Sequence, residues 1–354
     1  MKKVLWVYCA TSVLLILSCS NKGNTPSPQP STTTPSYTAP TVSATFAKGA
    51  DVSWVTQMEA SGVKFYDKNG NQQDLFVLMK SLGFNSIRLR AWVNPSAGWC
   101  NTADVVAKAK RAVAAGLSVM IDFHYSDTWA DPGDQNKPAA WTSYNTSTLI
   151  DSLYSYTYST LSTLKSNGIT PTWVQIGNET SNGMLWTDGE ASLSSTNFQN
   201  FANMITNGYN AVKAVFPSAK VIVHLANGYD NTTYRWMFDG LKTYGAKWDI
   251  IGMSLYPSTT NWQTLDTQCL ANINDMVSRY STPCMIVEVG MEETAASTAR
   301  DFLTDIITKV NGVNSGNGLG VFYWEPEAYN WQSYGLGAFD NTGKPTEALD
   351  AFGN

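Results

Sequence analysis

Histidine is scarce in this chain: 354 residues carry 2, His124 and His224. There is no His-x-x-x-His and no Cys-x-x-Cys, so the spacings that build a metal site are missing. Nor is there a basic patch; 23 Lys and Arg stand against 28 Asp and Glu. That acidic balance argues against nucleic acid as a partner. No Gly-x-Gly-x-x-Gly follows the first strand-like run, which removes the usual mark of a doubly wound open sheet. Of 5 cysteines, Cys9 and Cys19 sit in the N-terminal segment. Cys100, Cys269 and Cys284 remain, an odd number that permits at most one bridge and does not choose the pair.

The one long apolar run, Val4–Leu17, follows Lys2 and Lys3 and ends in Ser18-Cys19. It is too short to span a bilayer comfortably and has the charged start and apolar centre of a secretory signal. Ile16-Leu17-Ser18-Cys19 resembles a bacterial lipobox, in which the cysteine is acylated and becomes the mature N-terminus. A cut elsewhere, with Cys19 incidental, is the alternative. We therefore expect a signal over 1–18 and a lipid-anchored linker over 19–40, rich in Pro, Ser and Thr and too poor in apolar residues to form a core. The product would be exported and tied to the cell envelope, touching membrane only through that lipid. Ser20-Asn21-Lys22-Gly23-Asn24 lacks an acidic run, which leaves the face of the envelope open.

From Thr41 to Asn354 no second break in composition occurs, and the length suits one α/β barrel. Strand-like runs occur at Phe46–Ala50, Ser86–Trp92, Ser118–His124, Thr172–Glu179, Lys220–Asn227, Ile250–Pro257, Cys284–Gly290 and Gly320–Pro326. Helical spacing lies between them, for example at Ala103–Ala115, Leu149–Lys165, Phe198–Phe216 and Ala296–Val310, and several of these close on Gly or Pro. Strands alternating with helices predict a single (β/α)8 barrel over 41–354, with the open doubly wound sheet as runner-up.

A barrel concentrates its chemistry at the C-terminal strand ends. There the chain places Asp51, Arg88 and Arg90, then Asp122 and His124, then Asn178 and Glu179. His224 and Asn227 end the fifth run, Tyr256 the sixth, Glu288 the seventh, and Trp324 and Glu325 the eighth. Two carboxylates on separate strand ends, Glu179 and Glu288, are what retaining glycoside hydrolysis needs, at a separation of about 5–5.5 Å. Tryptophans near predicted loops offer flat apolar faces to sugars. Trp324 is the best platform candidate, whereas Trp92, Trp129 and Trp186 are as apt to pack loops. One arginine of Arg88 and Arg90 is expected to act in catalysis, the other to pair with Asp51 or Asp122. His124 and His224 are expected to line the cleft.

Several blocks carry a resemblance. Lys48-Gly49-Ala50-Asp51-Val52-Ser53-Trp54 and Ser86-Ile87-Arg88-Leu89-Arg90-Ala91-Trp92-Val93-Asn94-Pro95 resemble glycoside hydrolase family 53, the endo-β-1,4-galactanases. So do Asp122-Phe123-His124-Tyr125-Ser126-Asp127-Thr128-Trp129-Ala130-Asp131-Pro132, Ile176-Gly177-Asn178-Glu179 with Gly183-Met184-Leu185-Trp186, and Val321-Phe322-Tyr323-Trp324-Glu325-Pro326. The resemblance implies Glu179 as acid/base and Glu288 as nucleophile, with retention of configuration. It further implies that Arg88 favours an ionised nucleophile and that Asn178 hydrogen-bonds the sugar 2-OH; Tyr256 would orient Glu288 through its hydroxyl. The implied substrate is the β-1,4-galactan of type I arabinogalactan, cleaved by a monomer without cofactor.

Three departures from the family pattern stand out. Ala226 replaces an aspartate that could bind substrate, and Glu327-Ala328 replaces Ala-Trp after the eighth run. The segment after Glu288, Val289–Ala296, is short, whereas relatives with a calcium site carry a long Asp/Asn-rich insertion there. Calcium is therefore not expected at that place, and lost distal subsites would change product length. Two other readings remain open: a glycan-binding lipoprotein without turnover, and a β-mannanase or β-glucanase of the same clan.

Overall fold

The computed structural model describes residues 37–353. The signal, Cys19 and the linker up to residue 36 lie outside the described residues. Tyr37, assigned to the linker from sequence, already meets the folded part: its hydroxyl is 2.6 Å from the Thr304 hydroxyl, beneath the Arg300 guanidinium.

Eight parallel strands close into a barrel. They are β1 (Ala47–Asp51), β2 (Ser86–Ala91), β3 (Ser118–Phe123), β4 (Trp173–Ile176), β5 (Lys220–Leu225), β6 (Ile250–Leu255), β7 (Cys284–Val289) and β8 (Gly318–Trp324). Each pairs with its chain neighbour, and β8 closes on β1. The runner-up open sheet is thereby excluded. Two helices, α1 (Val55–Ala60) and α2 (Leu75–Ser81), separate β1 from β2. One helix fills each later gap: α3 (Thr102–Ala114), α4 (Thr146–Ser166), α5 (Ser195–Val215), α6 (Asn231–Thr243), α7 (Trp262–Tyr280) and α8 (Ala296–Asn311). Most start where an Asx or Ser side chain accepts the first free N–H groups: Asp74, Asn101, Asn145, Ser194 and Asp230 do so for α2 to α6.

Because side chains alternate along a strand, each strand has one set facing the helices and one facing the barrel axis. Ile87, Leu89 and Ala91 join the large helix-facing core, while Arg88 and Arg90 take the other side. The lower interior is apolar, made of Ala47, Met120, Ile222, Ile250, Met285, Val287 and Phe322. Gly49 is required there, since a Cβ on it would lie 2.1 Å from the Phe322 ring. One inward step further along, the same strands turn polar, and that change of composition positions the site.

Candidate active site

At the top of β4 the chain leaves regular geometry at Gly177 (φ 81°), and Glu179 itself has φ 44°. A Cβ on Gly177 would stand 2.5 Å from Thr180, so glycine is needed for the turn that lifts Asn178 and Glu179 over the barrel mouth. On the opposite wall the β6–β7 register slips: Met253 faces Ile286 but Ser254 faces Glu288. Val287 already points into the barrel, so strict alternation would aim Glu288 at the helices. The bulge returns it to the interior.

Both glutamates thus line one cleft of about 270 Å³, together with His124, Trp129, Asn178, Tyr256, Trp324 and Tyr334. Its floor is one buried arginine serving three acids. Arg88 Nη1 lies 2.8 Å from Asp51, and Nη2 lies 2.9 Å from Asp122 and 2.8 Å from Glu288 Oε1. Nη2 also donates to Asn178 Oδ1 at 2.9 Å. With so many acids around it and no exposure, Arg88 stays charged. The Tyr256 hydroxyl donates to Glu288 Oε2 at 2.8 Å.

Burial raises both glutamates above the ordinary carboxylate range; Arg88 opposes the shift, and the Glu179 charge adds to that of Glu288. Two such carboxyls do not both ionise at neutral pH, so they titrate as a pair sharing one proton. Arg88 and the Tyr256 hydroxyl both favour the ionised form of Glu288 against its burial, which pushes it up to about 8.

The two histidines take different places. His124 lines the cleft as expected: its Nδ1 accepts from Trp92 Nε1 and Ala130 N at 3.3 Å, so Nε2–H donates to Asp122 at 2.9 Å. His224 does not line it. It lies fully buried below, Nδ1 accepting from the Glu179 N–H at 3.3 Å and from Gln175 at 3.1 Å. That assigns Nε2–H as donor to Ser254 Oγ at 2.7 Å, freeing the Ser254 hydroxyl to bond Glu179. Burial holds His224 well below its usual range, hence neutral.

Other expectations are corrected. Asn227 is exposed in left-handed conformation (φ 53°) and turns away from the cleft into a hollow with Tyr229 and Arg235. Asp51, Arg88 and Arg90 are all buried beneath the cleft. Arg90 pairs with neither Asp51 nor Asp122, since Arg88 and His124 already occupy Asp122; it reaches Glu325 at 3.1 Å. Its guanidinium sits among four indoles, nearest Trp129 at 4.4 Å, then Trp92, Trp54 and Trp324. Trp129 and Trp324 of that cage line the cleft, so this arginine braces the aromatic wall.

Glu325 also accepts from the Trp54 N–H at 3.1 Å. Glu327 is buried. The Glu325 carboxyl lies beside it. Burial raises both, Glu325 to about 7 and Glu327 well above the usual range, so this pair too holds a proton. Cys100, Cys269 and Cys284 are all free and buried. Ala226 is buried, its N–H held by Ser181 Oγ at 3.0 Å. The segment between β7 and α8 is as short as expected.

Gln175, Ser254 and Tyr334 are site residues not singled out from sequence. Gln175 Nε2 donates to Asp122 at 2.6 Å, and the Tyr334 hydroxyl donates to the Trp324 carbonyl at 3.1 Å. The period-two spacing of Gln175 with Gly177, and of Ser254 with Tyr256, marks the first two as inward-facing. Nothing comparable marks Tyr334, which lies in an irregular loop.

The sequence profile of glycosyl hydrolase family 53 matches residues 47–300 and 290–352. A probable arabinogalactan endo-β-1,4-galactanase A of Neosartorya fischeri is 34% identical over 334 residues, 86% of this chain and 92% of that protein. An uncharacterised protein of Niallia circulans is 36% identical over 309 residues, 79% of this chain and 83% of that one. A solved structure from work on two fungal β-1,4-galactanases superposes with a TM-score of 0.81 at 32% identity, covering 87% of this chain and 99% of its own. With the family profile spanning the whole barrel, both glutamates included, this chain belongs to glycosyl hydrolase family 53.

Proposed function

We propose that the chain is an arabinogalactan endo-β-1,4-galactanase that works by retaining double displacement. One observation carries the mechanism: Glu179 and Glu288 line one cleft, and Glu288 alone of the two is met by the Arg88 guanidinium and the Tyr256 hydroxyl, each at 2.8 Å. The galactanase names of the relatives support the substrate. In the first step Glu288 attacks the anomeric carbon, the bond to the leaving oxygen breaks, and Glu179 gives that oxygen its proton. In the second, Glu179 takes a proton from water, the resulting hydroxide attacks the same carbon, and Glu288 leaves as carboxylate. Asn178, anchored by Arg88, is placed to bond the 2-OH. Trp324 offers a face to the sugar at the cleavage point.

The test compares wild type, Glu179→Gln and Glu288→Gln on galactan, mannan and cellulose. Reducing-sugar release from galactan should fall about 10³-fold or more in both variants. Activity retained by either variant removes that residue from its role, and equal activity on mannan moves the substrate. NMR of the first product should show the β-anomer; the α-anomer would exclude retention.

The lipobox-like Ile16-Leu17-Ser18-Cys19 supports an anchor at Cys19 and export to the cell envelope, with the Pro/Ser/Thr-rich linker holding a monomeric barrel off the membrane. Mass spectrometry of the mature N-terminus tests this. An unacylated N-terminus other than Cys19 would refute it.

A further inference from the structure

The cleft has a neighbour on its Glu179 side. A hollow of about 620 Å³ opens between the loops that follow β3 and β4, bordered by Thr128, Asn136, Lys137, Trp186 and Thr187. Thr128 directly precedes Trp129, which lines the cleft itself, so the β3 loop borders both spaces. Trp186 is half-buried and held from two directions. Its indole Nε1 donates to the Asn182 carbonyl at 3.0 Å, and its backbone N–H donates to the Gln135 carbonyl at 2.9 Å. The buried Gln135 side chain in turn donates to the carbonyl of Asn178 at 2.8 Å. One residue, Gln135, therefore ties the indole to the peptide that carries Glu179.

The direction of the reaction gives this hollow an occupant. Glu288 takes the glycone, whose platform Trp324 lies on β8. Glu179 protonates the oxygen of the departing chain, which must leave on the β4 side. An aromatic face beside hydroxyl and amide groups is a usual way to hold a pyranose, apolar C–H face against the ring and hydroxyls at the polar rim; Lys137 here is paired with Asp188. The hollow beside Asn227 fits this less well. It is set between α6 and α7 in the outer helix layer, and none of its lining residues borders the cleft that holds Glu179 and Glu288.

We propose that Trp186 is the platform for galactosyl units of the leaving chain, and that it sets where long chains are cut and how well sugar acceptors compete with water. This rests on the galactanase reading above. The same subsite receives an acceptor in the second step, because a sugar hydroxyl replaces water by giving its proton to Glu179.

The experiment compares wild type, Trp186→Ala and Trp186→Phe on polymeric galactan and on β-1,4-galactobiosyl fluoride, whose leaving fluoride carries no ring to stack on the indole. Trp186→Ala should raise KM for galactan about 5- to 10-fold, the scale of one lost aromatic contact. It should leave kcat/KM on the fluoride unchanged and lower transfer to added galactobiose. Trp186→Phe should restore most of both. Equal losses on the two substrates would mark Trp186 as loop packing and overturn the proposal, as would unchanged KM for galactan. Wild type inert on galactan would fail the galactanase reading itself, a result distinct from either.

Discussion

The lower and upper halves of the barrel interior are built on the same strands and share almost no chemistry. Below, Met120, Ile222 and Phe322 fill space; one inward step above them stand Asp122, His224 and Trp324. The lower layer is held by contact and exclusion of water, which require volume but little direction. The upper layer is held by two buried arginines, Arg88 and Arg90, and a set of directed hydrogen bonds, in which each group depends on its neighbours' charge. One half resists pH and tolerates swaps of shape. The other can do chemistry because it is electrostatically costly to assemble.

Breaking the upper half at its centre should have the largest effect. Arg88→Met leaves Asp51, Asp122 and Glu288 buried without their cation, and unfolding by denaturant should show a loss of about 3–5 kcal/mol at neutral pH, together with abolished galactan cleavage. If stability were unchanged, the hub would not organise the upper layer. In the lower half, Phe322→Ala should lose a comparable 3–5 kcal/mol through its cavity but leave the pH profile of activity in place. A moved profile would deny that the halves are separate.

Tyr256→Phe sharpens the comparison more gently. Loss of its hydrogen bond removes a group that favours ionised Glu288, so the Glu288 pKa rises. The acid limb of the activity profile should move to higher pH, and kcat/KM should fall roughly 10-fold; an unmoved acid limb would take Tyr256 out of that role. The smallest effect is expected at Glu327, beside the aromatic wall. Its folded pKa is raised, so its neutral form is favoured by folding, and stability falls as pH rises above the unfolded carboxyl value of about 4.3. Glu327→Gln cannot ionise. Thermal melts should show a gain on the order of 1 kcal/mol at pH 8 and none near pH 4, where both forms are neutral. A gain of equal size at both pH values would mean better packing instead.

Much of this was legible along the chain. The four named helices begin and end within three residues of the observed ones, since apolar spacing and terminal Gly or Pro are local signals. All eight strand runs were also visible, as was the collection of polar groups at one end of them. Less visible were pairings made across the barrel. Arg90 was given the wrong partner because Glu325 lies 235 residues away in sequence. His224 and Asn227 were both taken as cleft residues from their place at a strand end, yet one is buried beneath and the other turned outward. Local pattern tells which face a residue takes, but not how far above or below the mouth it stops.

By itself the sequence determined the alternation of strand and helix, the inward set on most strands, and the collection of carboxylates at the strand ends. Those follow from the period of the backbone and from the chemistry of the residues present. Tertiary structure decided where the carboxylates point. Val287 and Glu288 are consecutive and both face inward, because the β6–β7 register slips between Met253 and Ser254. Such a slip is a property of hydrogen bonding between two strands, so neither strand's own pattern contains it. The raised, coupled titration of the two glutamates has the same origin: Arg88, Tyr256, Glu179 and Glu288, far apart in sequence, meet where water is largely excluded.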